Sequence, residues 1–373
     1  MNPYFPYLMA FAFAAAFPLA VGYLVLIERK LLADFQARLG PMRAGPHGLL
    51  QPIADALKLV LKEDIVPERA DRFLFYVAPM ISIGTAFASF AVIPITKILN
   101  ISDIDVGLLL ISAMAAVGVF GLILGGWSSN SNYALLGAMR GAAQLISYEV
   151  ALGLALVSVV MLSGTMSMTG IVEAQYEQRV WFVFGNYGFM LLSFFVFLIA
   201  AVAEVNRAPF DLPEAESEIV AGYHTEYSGF RWGFYMLAEY TNIFVMCCVA
   251  VTLFFGGWLR PFPNVAWLEW PTDAFVPFTL GGLCAYGCWR MKLWPFTAIF
   301  ALAGAGFLIP ALRELVSGPF WFFLKVGGIF YVLVWFRASW PRLRYDQLMD
   351  LGWKRLIPLA LGCLFVNAIL GML

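Results

Sequence analysis

An all-α, polytopic membrane fold of about ten spans is predicted by three observations on this 373-residue chain. Its composition is 62% hydrophobic and only 13% charged, against about 25% charged in soluble domains. Apolar windows of about 20 residues, the length that crosses a bilayer, recur along nearly the whole sequence. The cations are distributed unevenly about those windows, as in loops sorted to two sides of a membrane.

Residues 1–27 carry no charge, and Glu28, Arg29 and Lys30 follow at once. A cleavable leader has its positive charges before the apolar run, so a retained first span with its N-terminus outside is expected. Further spans are expected near 73–95, 106–126, 143–163, 183–205 and 232–258. Two shorter ones follow near 274–289 and 294–311, and the last two near 319–337 and 356–373. On that topology 18 of the 23 Lys and Arg residues lie on the inner side, leaving Lys97, Arg179, Arg260, Arg313 and Lys325 outside or within spans. Leaving out both short segments keeps every later loop on its side, so eight crossings are the alternative. The whole chain, 1–373, reads as a single membrane domain with inner loops at 28–72 and 204–231 and an extra helical pair at 274–311. No internal repeat and no matched pair of broken helices is visible, which argues against a secondary transporter.

The net charge of −1 gives no electrostatic footprint for a nucleic acid. All five cysteines lie in apolar runs; Cys284 and Cys288 are one helical turn apart, but no second Cys or His pair completes a metal set. They read as small buried hydrophobes. No haem, zinc or iron–sulfur ligand pattern is visible, so any redox cofactor is expected on another chain. His47 and His224 read as ordinary loop residues. With no nucleophile–base pattern and no glycine-rich phosphate loop, the chain does not read as an enzyme by itself.

Two inner loops hold the chemistry. The first runs ERKLLADFQARLGPMRAGPHGLLQPIADALKLVLKED from Glu28 to Asp64, with Gly40-Pro41, Gly45-Pro46 and Gly48 as turn signals. A short amphipathic helix is predicted from Pro52 to about Lys62, with Asp55, Lys58 and Lys62 on one face and Ile53, Leu57, Val60 and Leu61 largely opposite. At some 11 residues it is too short to span and should lie in the interface. It is either a plain surface anchor or the wall of a lipid-accessible cavity, with Arg29 and Arg38 turned toward a polar headgroup.

The second loop sits in the run AEVNRAPFDLPEAESEIVAGYHTEYSGFRWGFYMLAEY, from Ala203 to Tyr240, which holds seven of the 24 acidic residues in a tenth of the chain. Asp211 and Glu214 have the spacing of an N-cap and its capping-box partner, with Pro213 tolerated in the first turn. A short helix is expected from there to Gly222. Glu214, Glu216 and Glu218 are close enough for mutual repulsion to raise at least one pKa, as proton transfer near neutral pH requires; a solvated acidic loop is the other reading. Glu149, Glu204 and Glu239 lie near the inner ends of different spans. A carboxylate at a membrane-helix centre costs about 2.5–3.5 kcal/mol, so three of them favour a shared polar axis over separate packing roles. Lys325, in the ninth expected span, has no partner that the sequence identifies.

The two long inner-loop runs closely resemble the signatures of the H subunit of respiratory complex I, the proton-pumping NADH:quinone oxidoreductase. The run WPRLRYDQLMDLGWKRLIPLA from Trp340 is similar to that family's C-terminal segment, so the resemblance covers most of the chain. It implies a translocase subunit of the respiratory chain at the junction of the membrane and hydrophilic arms, in a prokaryotic cell (inner) membrane. The substrate it implies is a quinone, with Glu28, Arg29, Arg38, Asp55, Lys58, Arg207 and Phe210 at the quinone site. It also implies a proton path through Glu149, Glu204, Asp211, Glu214, Glu216, Glu218, Glu239, Tyr148 and Tyr240. FMN, Fe–S clusters and NADH belong on partners: hydrophilic-arm subunits, small membrane subunits and antiporter-like subunits. The homologous membrane subunit of a membrane-bound hydrogenase is the nearest alternative, and a stand-alone ion-coupled transporter the one from another class. Met42 departs from the Asn usual in the family's R-x-G-P-N run, and the apolar pair near 274–311 is additional.

Overall fold

A bilayer offers no solvent partner for backbone N–H and C=O groups, and a helix satisfies them internally, so the apolar runs fold as helices. The computed structural model describes residues 5–97, 100–213, 221–261 and 271–372. Glu214, Glu216 and Glu218 lie outside these residues, as does most of the helix expected from Asp211 to Gly222. The helices are α1 (Phe5–Phe35), α2 (Gln51–Leu61), α3 (Arg72–Ala91), α4 (Gly107–Ser128), α5 (Asn132–Ser163), α6 (Met168–Glu177) and α7 (Phe189–Glu204). They continue with α8 (Gly229–Phe254), α9 (Val276–Arg290), α10 (Trp294–Gly306), α11 (Pro310–Ser339), α12 (Tyr345–Asp350) and α13 (Ile357–Met372). No strand occurs among the described residues.

Among the described residues seven segments are long and apolar enough to cross a membrane: those of α3, α4, α5, α7, α8 and α11, and α12–α13 taken through the π-turn Leu351–Leu356. The 31 residues of α1 give about 46 Å at 1.5 Å per residue, which also exceeds a hydrocarbon core of about 30 Å. The expected pair near 274–311 differs. The 13 residues of α10 reach only about 20 Å, and α9 attains a spanning length only with the π-turn Pro271–Phe275 before it. Neither is among the seven, so the described helices do not confirm a count of about ten crossings. Boundaries shift as well. The ninth segment begins at Pro310 rather than near 319 and keeps Pro319 inside the helix, as membrane helices tolerate where neighbours satisfy the freed carbonyl.

Helix α8 is the centre of the bundle: 78% of its spanning window is buried, against 22–50% for the other six. Small residues let its neighbours approach. A Cβ added at Gly125 of α4 would lie 2.3 Å from the Tyr235 hydroxyl of α8, and one at Gly121 2.2 Å from Ser82 Oγ of α3, the close backbone contact on which membrane helix packing depends. The C-terminal helix seals against α5 and α7: Tyr148 donates its hydroxyl to Leu348 O at 2.9 Å, Trp353 Nε1 to Ser147 Oγ at 3.2 Å, and Asn367 Nδ2 to Ser193 Oγ at 3.0 Å.

Lys325 has its partners at the far end of α8. Its ammonium donates to Phe255 O, Gly257 O and Leu259 O at 2.7, 2.9 and 2.5 Å, and lies 4.8 Å from the centre of the Trp181 ring. It thus satisfies carbonyls of the turn that follows α8 and stands apart from the carboxylates of the two loops described below.

Candidate functional site

The first inner loop is an ordered turn resting on α1. Gly48 adopts φ +77°, and a Cβ there would meet Pro41 O at 2.2 Å, so the tight turn requires glycine. Lys30 Nζ donates to His47 O at 2.6 Å and ties the turn to α1. α2 then lies across α1 and α8, with Pro52 against Gly22 and Leu59 against Gly233. Ile53, Leu57, Val60 and Leu61 remain exposed, as suits a helix lying at an apolar boundary. Arg29 pairs with Asp55 at 2.8 Å, both side chains substantially exposed. Arg38 donates to Gln36 on the surface, and Lys58 is also exposed; neither meets the buried groups described next.

Those buried groups come from four distant parts of the sequence. Glu28, on α1, is 3% exposed. One of its oxygens receives Arg337 from the end of α11 and Arg207, from the loop after α7, at 3.4 Å. Arg207 Nε lies 2.8 Å from Glu239 of α8, and its guanidinium stacks 4.5 Å from the centre of the Tyr240 ring. Burial disfavours the Arg207 charge, but the Glu239 and Glu28 carboxylates outweigh it and hold its pKa above the ordinary value. Beside this group Asp211 accepts from Arg342 at 2.7 Å. Burial nevertheless raises the Asp211 pKa, against the opposing pull of Arg342, Arg207 and Arg337. Three carboxylates and three guanidiniums thus balance at the inner ends of α1, α8 and α11.

Gln144, completely buried on α5, positions the loop that carries Arg207. Its amide donates to Ala203 O and Phe210 O, each at 2.7 Å, and to Asn206 Oδ1 at 3.2 Å. The chain after α11 crosses the same loop, with Leu343 N donating to Pro209 O at 3.1 Å. Phe210 is buried beneath it, its ring 5.6 Å from that of Tyr148.

A cavity of about 100 Å³ adjoins the cluster. It lies among α3, α4, α5, α7 and α8, and its wall includes Glu149, Glu204 and Glu239 together with Thr85, Tyr235 and Asn242. That is enough polar space to hold several waters. Glu239 belongs to both arrangements, pairing with Arg207 on one side and lining the cavity on the other.

The structure therefore brings Glu28, Arg207, Glu239 and Tyr240 together, and Glu149, Glu204 and Glu239 together. Tyr148 faces away from the cavity, toward Leu348 and Phe210. Asp211 joins the cluster through Arg342 rather than capping a helix within the described residues. Sequence reasoning places Arg337 and Arg342 only among inner-side cations and passes over Gln144, Thr85 and Asn242. The signal available for Arg337 is that a buried Glu28 at a span end needs a cation from another span end. Among the described residues no three His, Cys, Asp or Glu side chains form a metal-ligand group.

The profile of the family described as NADH dehydrogenase matches residues 8–368. The chain belongs to this family, among the H subunits of NADH-quinone oxidoreductases. It is 57% identical to the second such H subunit of Solibacter usitatus, an alignment covering 99% of this chain and 97% of the relative. It is 50% identical to the first one of Koribacter versatilis (95% of this chain, 88% of the relative). With the H subunit of Bacillus cytotoxicus the identity is 43% (94% and 89%). The family match runs through both inner loops and through α9 and α10, so the charged cluster and the cavity both lie inside the family region.

Proposed function

We propose that this chain is the membrane subunit of an NADH:quinone oxidoreductase that forms the membrane part of the quinone tunnel and couples quinone reduction to proton translocation. The observation that carries this reading is the double placement of Glu239, paired with Arg207 and lining the cavity with Glu149 and Glu204. Quinone enters from the bilayer where α1, α2 and α8 meet, past Arg29, Asp55 and Lys58, with Arg38 at the rim. Arg207, with Glu28 and Phe210, stands at the inner end of that path. Asp211 lies on the loop beneath the headgroup, and Glu214, Glu216 and Glu218 are proposed as further members of the proton path. Electrons arrive through FMN and iron–sulfur clusters of hydrophilic-arm partners; small membrane and antiporter-like subunits receive the output.

Quinone reduction takes up protons and alters the local charge. A unit charge moved within several Å of a partly buried carboxylate shifts that carboxylate's proton affinity strongly. Arg207 feels such a change directly and shares Glu239 with the cavity, so the pairing at Arg207 and the proton occupancy of Glu239, Glu204 and Glu149 change together. Tyr240 holds Arg207 in place by its ring, and Tyr148 fixes the loop beneath Phe210. The excess of cations in alternate loops supports a topology with the N-terminus outside, and the membrane that fits the reading is a prokaryotic cell (inner) membrane.

The deciding experiment purifies the tagged chain from its native membranes in mild detergent and assays the eluate for FMN, iron–sulfur clusters and NADH:quinone reductase activity. Copurifying activity that a quinone-site inhibitor blocks is the expected result. Nickel with hydrogen-linked activity, or a chain without redox partners, would refute it.

A further inference from the structure

Helices α9 and α10 form a tight hairpin: a Cβ on Gly281 would lie 2.8 Å from the Gly304 Cα. The hairpin is anchored at two places. At its base Asp273 pairs with Arg260 at 3.2 Å and accepts from Trp321 Nε1 at 3.0 Å. At its tip Lys292 adopts φ +59°, and His47 Nε2 donates to Met291 O at 3.0 Å. That contact puts the tip on the same side of the membrane as the first inner loop.

The charges nearest that contact along the two segments have one sign. Residues 274–313 contain Arg290, Lys292 and Arg313 and no acidic residue; residues 35–54 contain Arg38 and Arg43 and none either. Arg290, Lys292 and Arg43 are exposed, and the carboxylates that balance the buried cluster belong to other segments. Beside the two tip cations, Trp289 and Trp294 are 50% and 61% exposed, amphipathic rings of the kind that mark the headgroup level. From there toward the base the hairpin presents Leu283, Ile299 and Leu302, 57–73% exposed. An apolar face below an uncompensated cationic tip is complementary to a diacyl lipid with an anionic headgroup.

We infer that the hairpin tip is a binding site for an anionic phospholipid, whose phosphate is held by Arg290 and Lys292 and whose chains lie along the exposed face of α9 and α10. His47 is a positioning residue that fixes the tip beside residues 35–54 of the first loop. Each Lys or Arg near a charged surface is worth roughly fivefold in affinity, so loss of both cations should weaken retention roughly 25-fold.

The test uses the purified complex containing this chain, carrying Arg290→Gln with Lys292→Gln, and Arg290→Lys with Lys292→Arg as the charge-preserving control. Retained phosphatidylglycerol is counted by native mass spectrometry during stepwise delipidation, and photoactivatable phosphatidylglycerol and phosphatidylcholine are compared for labelling of residues 286–294. The wild type and the charge-preserving variant should keep phosphatidylglycerol after the glutamine variant has lost it, and labelling should favour phosphatidylglycerol. Equal retention in the glutamine variant, or equal labelling by the two lipids, overturns the site. Displacement by inorganic phosphate would make it a free-anion site, and cross-links from the tip to a partner subunit would make it a protein interface; either result also overturns it. The labelling arm needs only the wild-type complex, so the inference is tested even where the glutamine variant fails to assemble.

Discussion

Arg207 and Glu239 are predicted to act as one coupled unit, which a double-mutant cycle measures directly. Their oxygen–nitrogen distance is 2.8 Å, with side chains 15% and 12% exposed. With charge centres about 4 Å apart and an effective dielectric near 20, the attraction is about 4 kcal/mol. Desolvation offsets part of this, leaving a coupling of about 2 kcal/mol, or roughly 30-fold in a rate. Glu239→Gln leaves Arg207 on Glu28 alone, at 3.4 Å. Arg207→Gln leaves Glu239 without its cation and Glu28 with Arg337 only. Each single substitution should lower inhibitor-sensitive quinone reduction by about tenfold or more in assembled complex, normalised to NADH oxidation by an artificial acceptor. The double variant should be no slower than the poorer single variant. Losses that simply multiply would refute the coupling.

Gly48→Ala forces a Cβ to within 2.2 Å of Pro41 O at φ +77°; at about 1–3 kcal/mol of backbone strain or more, it should open the first loop to limited proteolysis. Lys325→Met abandons three carbonyls at the end of α8 and should lower the thermal midpoint of the complex by the equivalent of about 3 kcal/mol, while leaving the KM for quinone unchanged because the inner cluster is untouched. Burial pushes the His224 pKa down to about 4, so the folded chain keeps the ring neutral while the unfolded chain protonates it below about 6.5. Stability is therefore lost as pH falls from about 6.5 toward 4, by about 3 kcal/mol in all, and His224→Phe should flatten that part of a thermal-melt pH profile.

Hydropathy makes the spans legible because a bilayer imposes one rule, internal satisfaction of the backbone, on every crossing. It cannot place helix ends, since caps and tertiary partners decide them: α8 stops at Phe254 where Gly256 and Gly257 turn to positive φ, and α11 runs straight through Pro319. Glu28, Glu204 and Glu239 are conspicuous as charges in apolar surroundings. Their partners are not, because Arg337 lies 309 positions from Glu28 and nothing local joins them. Gln144 is illegible for the same reason, a neutral side chain whose acceptors lie 59 to 66 positions away. Tyr148 adjoins Glu149 in sequence, yet adjacent residues on a helix point about 100° apart, and its ring turns to the C-terminal segment instead of the cavity.

The pairing pattern also determines where the cluster can yield. Glu28 is paired with Arg337 as well as with Arg207; Arg207 and Glu239 stand at 2.8 Å, and Arg207 and Glu28 at 3.4 Å. Arg207 has Nη2 buried without a hydrogen-bond partner among the described residues, and Glu28 has Oε2 in the same condition. A buried guanidinium with an unused donor gains free energy from any carbonyl oxygen that reaches it. On the proposed reading, a quinone carbonyl arriving at Arg207 takes that donor and weakens the long contact to Glu28 first, because Glu28 retains Arg337. Arg207 then moves relative to Glu239, the one carboxylate that also faces the cavity. Ligand arrival thereby becomes a change in the field felt by Glu204 and Glu149 without either of them touching the ligand.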